Sequence, residues 1–139
     1  MTKFITIICL SLLCLGPSCK KSGNGTNAFT GTWELIKHSG YPFNNPTYPP
    51  GNGNLLVINK NGSFEFKQHD TVQSSGHYDL RIKQDCYPRE GNILMTFYRT
   101  DYNYSLYVSI HDGELWLDTP NCYQDGGTTT YRKLAGAPN

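Results

Sequence analysis

Four histidines and a scatter of carboxylates are the side chains of this 139-residue chain best suited to acid–base or metal chemistry. His38, His69, His77 and His111 never recur at ligand spacing. His69 and His77 are expected to face each other on the outer side of one hairpin, but two imidazoles without a third ligand are ordinary surface groups, so no metal is assigned. No Gly-x-Ser-x-Gly elbow and no glycine-rich phosphate loop occurs, and no pair of carboxylates is set apart by its spacing. The sequence therefore carries no catalytic assignment and no cofactor, and it is not expected to be an enzyme.

The thiols carry more information. Lys3 precedes Phe4 to Leu15, a stretch of twelve residues without a charge that is too short to span a bilayer, and Gly16-Pro17-Ser18 bring small residues up to Cys19. Residues 1–18 thus read as a lipoprotein signal peptide. Cys19 with the following Lys20-Lys21-Ser22-Gly23 resembles a lipobox, in which the cysteine becomes the new N-terminus and carries acyl chains such as palmitate. This expectation makes a membrane the first partner, reached through a lipid anchor. It places the protein in the cell envelope, at the outer membrane facing the periplasm. Residues 19–28 form a lipidated flexible tether with an r.m.s. reach of roughly 15 to 18 Å.

Removing residues 1–18 deletes one cation, Lys3, and no acid, so twelve Lys plus Arg against eleven Asp plus Glu become eleven of each. A chain with that balance has no electrostatic footprint for nucleic acid. Cys86 and Cys122 are the thiols left after cleavage and acylation, and an oxidising compartment favours their disulfide. Closing that loop of about 36 residues would contribute roughly 3 to 4 kcal/mol. Hairpin parity opposes the bond, since it places the two cysteines at opposite ends of the domain. The sulfurs could meet only if residues 119–126 fold back along the wall toward the fourth strand or if one strand is miscounted.

The remaining elements are short. Aromatic content of 13%, with 10 Tyr, 14 Gly and 8 Pro, points to strands and turns rather than helices. Strands are expected near 30–38, 54–59, 63–69, 76–84, 92–99, 104–110, 114–118 and 127–134. Asp112-Gly113 is a two-residue hairpin turn that pairs Ile110 with Leu115 and Val108 with Leu117. A loop at 100–103 should pair Phe97 with Leu106, Met95 with Val108 and Ile93 with Ile110. A hairpin around Val72–Ser74 should pair Phe66 with Leu80 and Phe64 with Ile82, with Glu65 opposite Arg81 and Lys67 opposite Asp79 outside. Asn61-Gly62 allows a two-residue turn that sends Leu55 and Val57 inward or a three-residue loop, with Gly62 left-handed, that sends Leu56 and Ile58 inward; the second is expected because it buries the larger pair. Eight sequential strands avoid exposed edges by closing, so the expected fold is an all-β, eight-stranded antiparallel up-and-down barrel over 29–134, with a tail at 135–139.

Gly31-Thr32-Trp33, the turn Asn61-Gly62-Ser63-Phe64 and the closing Tyr131-Arg132-Lys133 resemble the lipocalin-like domains of bacterial lipoproteins. The resemblance implies that Trp33 plugs the closed end of the barrel and that Arg132 lies over its indole in a cation–π contact. It also implies a binding cavity. The ligand set is then Phe64, Phe66, Leu80, Met95, Phe97 and Leu106, beneath a lid drawn from the first connection and carrying Tyr41, Phe43 and Tyr48. Its ligand would be small and apolar or amphipathic. The alternative is a filled barrel acting through its outside as an envelope protein-interaction or carbohydrate-binding module, with Tyr98, Tyr107 and Trp116 as an outer aromatic patch. Interior packing separates the two. Finally, Asp70-Thr71-Val72 resembles the short Asp-Thr-aliphatic acceptor of bacterial O-glycosylation, in an exposed hairpin loop.

Overall fold

The computed structural model describes residues 28–40, 44–83, 93–120 and 126–136. Eight strands run in chain order: β1 (Gly31–Gly40), β2 (Asn54–Ile58), β3 (Ser63–Gln68), β4 (Thr71–Ile82), β5 (Ile93–Tyr98), β6 (Asn103–His111), β7 (Glu114–Asp118) and β8 (Gly127–Lys133). Each pairs antiparallel with the next, and β8 pairs with β1, so the sheet closes into an up-and-down barrel. The expected signal segment 1–18, Cys19, Tyr41, Phe43, Cys86 and Cys122 lie outside the described residues, and with them the expected disulfide.

Period-two alternation explains the core. Trp33, Leu56, Ile58, Phe64, Met95, Phe97, Val108, Leu115 and Leu117 are each 2% exposed or less, drawn from six strands whose alternate positions point inward. Two expected turns hold. Asp112-Gly113 joins β6 to β7 with Ile110 opposite Leu115 and Val108 opposite Leu117. Gly62, at φ 84, donates its N–H to Asn59 O and sets Ile58 opposite Phe64 and Leu56 opposite Phe66, as a left-handed glycine at that position requires.

Two registers differ from expectation. β5 and β6 pair Phe97 with Tyr104 and Met95 with Leu106, because β6 starts at Asn103 and the loop is 99–102. The slip is of two residues, so the inward face is kept. The β3–β4 turn is His69-Asp70, not Val72–Ser74, and Phe66 faces Ser74 rather than Leu80. A bulge between Phe66 and Lys67 absorbs one residue. β4 pairs with β3 through 71–77 and with β5 through 77–82, which is the stagger a closed barrel demands. The expected cross-strand ion pairs are consequently replaced by same-strand ones, Lys67 to Glu65 at 2.9 Å and Arg81 to Asp79 at 3.5 Å. His77 faces Ser63 and not His69.

The described part of the first connection pairs with β1. β1 is longer than β2, and residues 46–52 follow the edge that β2 leaves bare. Lys37 bridges Thr47, Tyr48 N–H donates to Ile36 O at 2.7 Å, His38 N–H donates to Pro46 O at 3.1 Å, and Asn52 Nδ2 donates to Leu35 O at 2.9 Å. The segment serves as an edge cover, which saturates backbone groups that would otherwise invite pairing with another chain.

Candidate functional site

Strand parity gives the barrel two unlike ends. The Trp33 end is sealed: its indole is 1% exposed, Nε1 donates to Phe29 O at 2.8 Å, and Phe29 is itself buried. Tyr78 Oη adds a bond to Asn59 O at 3.0 Å. The cation over the indole is Lys133, whose Nζ stands 5.2 Å from the ring centroid. This corrects the placement of Arg132. The β1–β8 register sets Trp33 opposite Lys133 and Glu34 opposite Arg132, so Arg132 belongs to the outer wall. There it pairs with the buried Glu34 at 3.3 Å and donates through Nη2 to Tyr48 O at 3.2 Å.

The expected ligand-binding side chains do converge, but on one another. Phe64 and Phe97 meet edge to face at 4.9 Å between centroids, Phe64 and Phe66 at 5.6 Å, and Phe66 and Phe97 at 5.9 Å. These are the separations of rings in direct contact. Leu80, Met95 and Leu106 lie directly opposite one another across β4, β5 and β6, with Met95 fully buried and the two leucines half-buried against the core. Tyr48 reaches the core from the edge-covering segment and lies edge-on to His38 at 5.8 Å. His38 Nδ1 is 3.0 Å from Thr129 Oγ1, and burial holds its imidazole below its usual pKa.

A feature that sequence reasoning missed extends this cluster to the surface. Tyr104 stacks on Phe97 at 5.0 Å with planes 16° apart, and Tyr102 follows at 5.7 Å. Burial raises the Tyr104 hydroxyl well above its ordinary pKa, as it does that of Tyr131 further inside. Tyr102 is 52% exposed. The Arg99 guanidinium lies 4.5 Å over its ring and donates to its hydroxyl at 2.9 Å, while Arg99 Nε is 3.3 Å from Asp101 Oδ1. The β5–β6 loop thus presents an aromatic ring, a fixed cation and a carboxylate at the rim. The alternation Tyr98, Tyr102, Tyr104 was visible in the sequence, but only the two-residue slip brings Tyr104 next to Phe97.

The outer aromatic patch is not assembled as expected. Tyr107 faces outward yet is 3% exposed, and Trp116 is half-buried against His111 at 5.0 Å and Lys37 at 5.7 Å. At the sealed end, Thr30, Gly31, Val57, Ile58, Asn59 and Lys60 line a cleft of about 30 Å³, room for a water molecule only. Among the described residues no three His, Cys, Asp or Glu side chains could share a metal ion. Comparison with protein-family models, with curated proteins and with solved structures finds no match to this chain.

Proposed function

We propose that this is an exported, lipid-anchored barrel that acts through its rim and outer wall, as an envelope protein-interaction or carbohydrate-binding module. The contact of Phe64, Phe66, Phe97 and Tyr104 along the barrel interior carries the reading. An eight-stranded barrel is either filled by its own side chains or holds one small ligand, and four rings in mutual contact along the interior favour the first. The rim loop 99–102 is the recognition element: an exposed tyrosine face suits the apolar face of a sugar or a partner's side chain, and the Arg99–Asp101 pair supplies hydrogen bonds of both signs. A small apolar ligand held inside, the lipocalin-like alternative, would require these rings to part.

Two measurements on the full-length exported protein test this. A photo-crosslinking residue at position 102 should capture a partner or glycan, whereas one at exposed Ser75 on the wall of β4 should not. A fluorescent apolar probe should show no saturable uptake. Saturable one-to-one uptake of the probe would restore the interior carrier. Equal labelling from both positions would remove the rim from consideration.

A further inference from the structure

The tip of the β3–β4 hairpin breaks local rules at three neighbouring positions. A two-residue hairpin turn with positive φ at both central residues is best filled by Asn-Gly, yet His69 (φ 47) and Asp70 (φ 64) hold it here. Val72 is then 47% exposed, one of few large apolar side chains left in solvent among the described residues, because the bulge after Phe66 turns it away from the core. Thr71, Val72 and Gln73 are all exposed, although side chains in a strand alternate between faces. Both faces of β4 are therefore open at this point. The tip is nonetheless anchored: His69 N–H donates to Gly53 O at 3.0 Å, and Thr71 pairs with Gln68. Departures from local preference that bring no packing gain mark positions kept for something other than folding.

We propose that Thr71 is a site of O-glycosylation, with Asp70-Thr71-Val72 read on the folded hairpin by an envelope glycosyltransferase. Thr71 is exposed at the start of β4, between the exposed turn carboxylate Asp70 and the exposed apolar Val72. The Thr71 oxygen bonds to the anomeric carbon of a sugar supplied as a glycosyl diphosphate. The bond from that carbon to the diphosphate oxygen breaks, the diphosphate leaves with the electron pair, and the hydroxyl proton passes to a base of the transferase. No oxidation or reduction is involved.

The test uses full-length protein purified from the membranes of its natural host, as wild type, Thr71→Ala, Thr71→Ser and Asp70→Asn. Intact mass and fragmentation that keeps sugars on their residues should place whole sugar units on Thr71 in the wild type. Thr71→Ser should retain them, whereas Thr71→Ala and Asp70→Asn should lose them. Position 71 is exposed and Asn accepts positive φ, so all three variants are expected to give the wild-type circular dichroism spectrum. A sugar-free wild type, or sugar persisting in Thr71→Ala, overturns the inference. It presupposes export, and the same spectra read the acyl chains on Cys19 independently. An acylated but sugar-free chain overturns glycosylation alone, and a chain bearing neither overturns both.

Discussion

At the residue scale, the Trp33 indole fills the sealed end and satisfies the Phe29 carbonyl from within the core. Trp33→Ala should destabilise the barrel by about 3 to 5 kcal/mol in urea unfolding. Lys133→Ala should cost only about 0.5 to 1 kcal/mol, since its ammonium remains in solvent. A loss for Trp33→Ala no larger than that for Lys133→Ala would show that the plug is dispensable. The tryptophan was legible because Gly-x-Trp at the start of a strand stands out; its cation was not. Arg132 and Lys133 are chain neighbours, and only the register decides which of them shares the indole's face. His38 offers a second reading at this scale. Its imidazole is held below the ordinary value of 6.5 by burial, so the folded chain binds that proton less readily than the unfolded one. The associated stability is full above about pH 6.5 and is lost progressively as pH falls from there to the lowered folded value. Thermal melts at about pH 7.5 and about pH 5.5 should show an acid loss that shrinks in His38→Gln; an unchanged loss would assign it to other groups.

At the element scale, turns governed by local chemistry were readable and turns governed by the closed sheet were not. Asp112-Gly113 and Gly62 announce themselves, because few residues other than glycine accept the backbone those turns require. His69-Asp70 carries no such signal, and the bulge that sets its register depends on how β4 is shared between two neighbours. Gly76 marks that handover. It faces Phe64 where β4 passes from β3 to β5, and a Cβ added there would stand 2.0 Å from Tyr98 O and 3.1 Å from the Phe64 ring. The obstacle is backbone on the neighbouring strand, which cannot move without breaking the His77–Tyr98 pairing. Gly76→Ala should therefore destabilise by at least ~2 kcal/mol. A wild-type unfolding midpoint in this variant would mean that β4 and β5 are not held in this register.

At the scale of the whole molecule, closure was legible from strand number and hairpin spacing alone, since an open eight-stranded meander would leave two bare edges. The ring contacts of the interior and the burial of outward-facing Tyr107 were not, because both depend on which side chains meet in three dimensions. The polarity of the barrel would give the proposed lipid anchor a consequence. The chain enters at Gly31 beside the Trp33 plug, so a tether on Cys19 would hold the barrel by its sealed end. The rim loop 99–102 and the 69–70 tip leave from the opposite end and would face away from the membrane. A tether of roughly 15 to 18 Å reach would leave that end accessible. Acyl chains contribute about 0.8 kcal/mol per buried CH₂, enough for two or more chains to fix the protein to a bilayer. Wild-type protein should accordingly partition into the detergent phase and Cys19→Ala into the aqueous phase. A cysteine-reactive polymer should label a cysteine placed at position 102 on anchored protein as fast as on the Cys19→Ala form, but one placed at position 60, in the β2–β3 turn at the sealed end, several-fold more slowly on anchored protein. Equal partitioning of the two forms would remove the lipid anchor, and protection at position 102 instead of position 60 would turn the barrel over.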